Sequence, residues 1–182
     1  MRRKSFDSME CPIARSLERV GEWWSILIVR DALRGLRRFD EFQKALDIAP
    51  NMLTRRLNAL VENGLLERRR YSERPPRYEY VPTQRARDFR PVLTTLLDWG
   101  NRHFAPEGAS VLLVDRESGA PVDPMLVDRN TGRPITESDH AFAAGPAAGE
   151  RLRGRYGKPR VTEASSETKN VKGRPLRERK MR

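Results

Sequence analysis

Cysteine and histidine are scarce in this chain of 182 residues, and their scarcity narrows the chemistry that it can carry. The single cysteine, Cys11, excludes an intrachain disulfide and any zinc site built from several cysteines. The two histidines, His103 and His140, have no cysteine or carboxylate partner at a ligand or catalytic spacing, and there is no glycine-rich phosphate loop. We therefore expect no enzyme activity, no metal and no other cofactor.

Long apolar runs are also missing. The apolar segment at residues 25–29 is far shorter than the about 18 residues that a membrane-spanning helix needs. The basic N-terminus "MRRKSFDS" has no apolar region after it, so it does not have the pattern of a signal peptide. We expect a chain without a membrane partner, in the reducing cytoplasm and on the nucleoid.

Positive charge, in contrast, is abundant. The formal net charge is +11 and the isoelectric point is about 10.6. Residues 1–104 carry +7, residues 105–149 carry −4 and residues 150–182 carry +8. A balance this basic favours a polyanionic partner, with double-stranded DNA ahead of an anionic membrane.

The spacing of apolar residues indicates a mainly α-helical chain with one small β-hairpin, an α+β fold. Two short helices joined by "DIAP" have the helix-turn-helix pattern. Two strand-like segments flank "SERPP", whose prolines predict a protruding turn rather than a tight two-residue hairpin. The last helix contains Pro91, which should kink it or start a new helix. Helices are predicted over about residues 12–20, 23–33, 39–46, 50–63 and 83–104.

The helix that contains "IAPNMLTRRLNAL" is the candidate for reading DNA. At 100° per residue, its leucines form one face, while Asn51, Arg55 and Asn58 lie opposite and Thr54 lies on a flank. Arginine can bind guanine and asparagine adenine in the major groove, so we predict that these four residues contact bases. Arg56 lies at the rim of the leucine face, where it either grips a phosphate or braces the helix. The alternative interpretation is an ordinary solvated helix face.

The hairpin "RRRYSERPPRYEY" carries five arginines and two prolines. A basic hairpin that projects beside a recognition helix is typical of a wing that lies along the DNA backbone or minor groove. The alternative is an edge hairpin whose charges and prolines block aggregation. The predicted phosphate and wing contacts are Arg38, Arg56, Arg69, Arg74 and Arg77.

Taken together, the motifs resemble the HxlR-type family of bacterial winged helix-turn-helix transcriptional regulators. The motifs, in chain order, are "CPIARSLERVGEWW", "ILIVRDAL", "RRFDEF", "APNMLTRRLNALVENGLL", "YSERPPRYEYVPT" and "RPVLTTLLDWG". The resemblance implies a homodimer built on the terminal helices, which acts as a repressor on a pseudo-palindromic operator. It also aligns Cys11 with a cysteine that some members use to sense quinones, aldehydes or oxidants, which implies a small-molecule or electrophile effector. The alternative for Cys11 is a buried, inert residue, and the alternative for the protein is a winged-helix interaction module without specific DNA readout.

The C-terminal third differs in character from the rest. "VDRESGAPV" and "VDRNTGRPI" form an internal repeat that predicts two small hairpins, similar to a zinc ribbon but without its cysteines. In the tail, "VKGRPLRERK" resembles an AT-hook that would place Arg174 in the minor groove, or else it is a generic basic tail. We divide the chain into a flexible N-terminal arm (1–10), a winged helix-turn-helix DNA-binding and dimerisation domain (11–104), a metal-free hairpin extension (105–137) and a disordered basic tail (138–182).

Overall fold

A computed structural model of the protein describes residues 5–157. It contains helices and a two-stranded antiparallel sheet, as the sequence predicts. Residues up to His140 and residues from Ala141 form two compact units. The elements are α1 (Pro12–Val20), α2 (Trp23–Arg34), α3 (Phe39–Leu46), α4 (Pro50–Glu62), β1 (Leu66–Glu73), β2 (Pro76–Pro82), α5 (Gln84–Asp88), α6 (Arg90–His103) and α7 (Glu150–Tyr156).

The hydrophobic core lies where α2, α3 and α4 meet the base of the hairpin. Ile28 of α2, Phe42 of α3 and Leu57 of α4 are fully buried in it. Leu53 and Leu60, one turn on either side of Leu57, are buried as well, because residues three and four apart share a helix face. The leucine face of α4 is therefore fixed against the core, which determines the face that α4 turns outward.

The turn between α3 and α4 sets the angle of the second helix. Asp47 ends α3 in the left-handed conformation, with φ of 48°, and Ile48 is buried beneath the turn. Pro50 then starts α4 at a position where proline's fixed φ and missing N–H cost nothing. This arrangement confirms the helix-turn-helix.

The hairpin is tighter than the sequence predicts. Glu73 pairs with Pro76, so only Arg74 and Pro75 lie between the strands, and the peptide bond that joins them is cis. The expectation of a longer protruding turn is therefore wrong. The Ser72 hydroxyl donates to the carbonyl of Pro75 (3.0 Å), which closes the turn across the two residues. The wing is accordingly short at its tip and carries Arg74 there.

The predicted long helix is interrupted before Pro91. The Thr83 hydroxyl accepts a hydrogen bond from the backbone N–H of Ala86 and so caps α5. The chain then restarts as α6, with Pro91 in its first turn. Thr83 also donates to the carbonyl of Gly64 (2.7 Å), which ties the start of α5 to the end of α4.

The apolar stripes of α1 and α6 are not buried in the core. Ile13 is 65% exposed and Leu17 is 44% exposed, and none of the α6 residues is buried. Val92, Leu96 and Trp99 form an exposed stripe along α6. A lone soluble domain rarely exposes this much apolar surface without a partner for it.

The extension contains two turns that repeat each other. Each is closed by a single bridge, Val114 with Pro121 and Val127 with Pro134, so the predicted hairpins are present in minimal form. The Asp115 carboxylate accepts hydrogen bonds from the backbone and hydroxyl of Ser118 (both 2.9 Å), and these hold its pKa below the usual range. Asp128 accepts a 2.6 Å hydrogen bond from the Thr131 hydroxyl, which lowers its pKa in the same way. An aspartate thus organises each turn by direct hydrogen bonds.

The flexible arm (1–10) and the disordered tail (138–182) remain predictions, and the structure describes part of each. Residues 5–10, predicted as part of a flexible arm, lie along α1: the N–H of Phe6 donates to Glu18 (3.0 Å), and Asp7 pairs with Arg19 (2.8 Å). The tail predicted to be disordered from residue 138 includes the seven-residue helix α7, in which Leu152 and Tyr156 stand among charged residues. Residues 1–4 and 158–182, with Arg174, lie outside the described residues.

Candidate nucleic-acid interface

The outward face of α4 carries the four residues predicted to contact bases. Asn51, Thr54, Arg55 and Asn58 are all exposed, whereas the leucines opposite them are buried. The Thr54 hydroxyl donates to the carbonyl of Pro50 (2.9 Å), so only its lone pairs remain for a ligand. Within residues 5–157, the side chains of Asn51, Arg55 and Asn58 make no protein hydrogen bond or ion pair, which leaves their donors and acceptors available.

Arg56 points elsewhere, although it is next to Arg55 in sequence. Its Nη2 lies 3.0 Å from Oε2 of Glu22, at the junction of α1 and α2, and the two side chains are only 18% and 28% exposed. The Nε of Arg56 is buried without a hydrogen-bond partner in the described structure. Of the two roles predicted for Arg56, this geometry matches the brace rather than the phosphate contact.

The wing arginines differ in how strongly the protein already engages them. Arg69 forms an ion pair with Glu67 (2.8 Å), and its hydrogen bond lowers the pKa of that carboxyl. The Arg68 guanidinium stacks over the Tyr78 ring, 3.7 Å from its centroid. Arg74 and Arg77 make no hydrogen bond or ion pair in the part of the chain that the structure describes. They are therefore the wing cations best placed to bind phosphate.

Arg38 joins the wing to the helix-turn-helix. It precedes α3, and its guanidinium lies 4.9 Å from the centroid of the Tyr71 ring on β1. The backbone of Arg38 also forms an isolated antiparallel β-bridge with Glu79 of β2, so the segment before α3 pairs with the edge of the hairpin. Glu41 accepts hydrogen bonds from the backbone N–H groups of Arg37 (2.7 Å) and Arg38 (2.9 Å), which lower its pKa. The cation thus sits on a segment that the backbone holds in place.

A small cleft separates α3 from the wing. It has a volume of about 240 Å³, and its lining includes Arg38, Arg77, Tyr71, Tyr78 and one carboxylate, Asp40. Two guanidinium groups and the phenol hydroxyls make this cleft a place where a phosphate oxygen could be bound. It connects the predicted phosphate contacts of the wing with the start of α3.

Comparison with known proteins assigns the chain to a family. A family model described as HxlR-like helix-turn-helix matches residues 19–108. An uncharacterised HTH-type transcriptional regulator of Mycobacterium tuberculosis is 37% identical over 141 residues, which cover 77% of this chain and 89% of the relative. The chain belongs to the HxlR-like helix-turn-helix family. The resemblance inferred from its motifs is thereby confirmed.

Solved structures support the same assignment for this HxlR-like chain. A candidate transcription factor from Pseudomonas aeruginosa is 64% identical, with 80% of this chain and 99% of that chain covered at a TM-score of 0.60. A second candidate transcription factor is 38% identical, covers 78% of this chain and 100% of its own, and has a TM-score of 0.69. The HxlR-like protein is a DNA-binding regulator of transcription with a winged helix-turn-helix fold, not an enzyme.

Sequence reasoning missed two residues of the candidate interface. Glu22 was not recognised as the partner of Arg56, because an ion pair between residues 34 positions apart has no local pattern. Tyr71 was not recognised as the ring beneath Arg38; its place beside a run of arginines was the only signal. Each contacts a residue that the sequence predicted for the interface.

The remaining sequence candidates are placed as follows. Cys11 is a free, half-buried cysteine directly before α1. The Arg15 guanidinium, one turn further on, donates to the carbonyl of Met9 (2.6 Å). Among the described residues, no group of three or more histidine, cysteine, aspartate or glutamate side chains could hold a metal ion. No helix in the same range is long and apolar enough to cross a membrane.

Proposed function

We propose that the protein is a repressor that binds a pseudo-palindromic DNA operator as a homodimer, in the cytoplasm and on the nucleoid. The observation that carries this proposal is the outward face of α4, where unpaired amide and guanidinium groups stand opposite a buried leucine face. Asn51, Arg55 and Asn58, with Thr54 beside them, read base edges in the major groove. Arg38, Arg74 and Arg77 hold phosphates along the groove's edge, and Arg69 adds to the positive field.

In this proposal the exposed stripes of α1 and α6 form the dimer interface. On these two helices the core leaves five large apolar residues exposed: Ile13 and Leu17 on α1, and Val92, Leu96 and Trp99 on α6. Burying such a surface against a second copy removes apolar area from water. Two copies of α4 then enter successive major grooves, about 34–36 Å apart, which matches a two-fold symmetric operator.

Shortening Leu96 to alanine is expected to weaken the dimer roughly 30-fold. Each of the two interfacial leucines loses three carbon atoms, and only the surface left exposed in the monomer (44%) is newly buried in the dimer, which at about 0.8 kcal/mol per buried CH₂ amounts to about 2 kcal/mol. Sedimentation equilibrium of the full chain measures the dissociation constant. Met125→Ala is the control, since Met125 is also apolar and is more exposed than Leu96 (65% against 44%) but lies on the extension. A monomeric wild-type protein, or equal weakening by both variants, would remove α6 from the interface.

Footprinting of the purified protein across genomic DNA tests the function itself. We expect a limited set of protected sites with two-fold symmetry and a steep loss of affinity with salt. Protection without sequence preference, or no protection, would favour the interaction-module alternative.

The same experiment with a thiol oxidant, on wild type and Cys11→Ser, tests whether Cys11 is a redox sensor. If the oxidant changes DNA binding of Cys11→Ser as much as that of wild type, Cys11 is not the sensor.

A further inference from the structure

A groove runs between α6 and the extension and has not been assigned a role. Its volume is about 490 Å³, within the range of small-molecule sites. Pro91 of α6 and the segment Pro124, Met125 and Leu126 give it apolar walls. Arg87 of α5 and Arg90 at the start of α6 lie at its α5–α6 end. The groove therefore combines an apolar body with a cationic end.

The two arginines at that end have no counterion in the protein. Within residues 5–157, neither the Arg87 nor the Arg90 side chain makes a hydrogen bond or an ion pair. The one carboxylate that lines the groove, Asp98, lies two helical turns further along α6 and is already paired with Arg102 (3.1 Å). The positive end of the α6 helix dipole adds to the attraction for an anion. Charge complementarity thus calls for an acidic group at the α5–α6 end.

The groove lies on a different face of α6 from the proposed dimer stripe. At 100° per residue, Val92, Leu96 and Trp99 fall within roughly 60° of one another. Thr94, Thr95 and other groove residues are centred roughly 120° away from that stripe. A second copy that covers the stripe therefore leaves the groove open.

We propose that this groove binds a small amphipathic carboxylic acid, with its apolar body against Met125 and Leu126 and its carboxylate between Arg87 and Arg90. The hydroxyls of Thr94 and Thr95 donate to α6 carbonyls (3.2 and 3.0 Å), so they offer only lone pairs and do not compete for the carboxylate. Such a ligand bridges α5, α6 and the extension. Because α5 also contacts α2 and β2, occupancy of the groove bears on the base of the wing.

Calorimetric titration of the full chain with 2-naphthoate tests the site without DNA, so its outcome is separate from that of the proposed function. We expect one saturable site per chain and at least roughly tenfold weaker binding for Arg90→Gln, because a charge-assisted hydrogen bond is lost. The uncharged alcohol 2-naphthylmethanol should bind the wild-type protein no more tightly than Arg90→Gln binds 2-naphthoate. Inorganic phosphate, which lacks the apolar body, should not bind at this site.

Two further variants keep the test decisive. Arg129→Gln removes the same charge from an exposed position on the extension outside the groove and should leave the affinity unchanged. Thr95→Trp fills the groove without changing charge and should abolish binding, with circular dichroism confirming the fold. The proposal is overturned if no naphthoate binds, if the alcohol binds equally, if Arg129→Gln matches Arg90→Gln, or if Thr95→Trp binds normally.

Discussion

Replacing Arg55 with alanine is expected to weaken binding to the operator by about 1–3 kcal/mol and to relax the preference at one base position. The guanidinium is exposed on the outward face of α4 and has no protein partner in the described structure, so its five donors remain free for a base edge. Alanine keeps the helix, because it has the highest helix propensity and the position is exposed. The loss therefore measures recognition rather than folding.

Arg74→Ala is the matched control for Arg55→Ala. Arg74 is an exposed arginine at the tip of the wing, so its loss should weaken all sequences about equally and reduce the dependence of affinity on salt. Binding-site selection and salt titrations of both variants separate the two behaviours. If Arg55→Ala weakened every sequence equally, Arg55 would be a phosphate contact and the assignment of α4 would have to change.

The arrangement of α4 could be predicted because one physical period fixes it. A helix turns about 100° per residue, so three leucines on one side place Asn51, Arg55 and Asn58 on the other. The burial of Leu53, Leu57 and Leu60 agrees with that prediction. The same period separates Arg55 from Arg56, and their different environments in the structure follow from that separation.

The features that sequence could not give depend on contacts between distant residues or on exact turn geometry. The apolar stripe of α6 has the same period whether it faces a core or a second subunit. Spacing alone therefore could not show that the stripe is exposed. The two-residue turn at Arg74 and Pro75 was missed because prolines and charges indicate a loop but not its length. The groove needs α6 and the extension to come together, which no local pattern records.

Removing Glu22 is expected to destabilise the protein by about 1–3 kcal/mol, between the values for surface and buried ion pairs, because the pair with Arg56 is only partly exposed. Glu22→Ala leaves a largely buried guanidinium whose Nε already lacks a partner. Arg56→Met removes that charge and keeps most of the aliphatic stem, so it should cost less. The double variant should recover part of the loss of Glu22→Ala.

Urea unfolding of the two single variants and the double variant measures this coupling as a double-mutant cycle. The pair Glu67 and Arg69 on the wing is the matched control, since its 2.8 Å contact is similar but both side chains are more than half exposed. The same cycle there should give a coupling free energy of less than about 0.5 kcal/mol.

Because Arg56 belongs to α4, we also expect Glu22→Ala to weaken binding to all DNA sequences, as a tilted recognition helix loses its register with bases and phosphates together. Equal coupling in both pairs, or unchanged DNA binding by Glu22→Ala, would reduce the Glu22–Arg56 pair to a surface contact with no part in positioning α4.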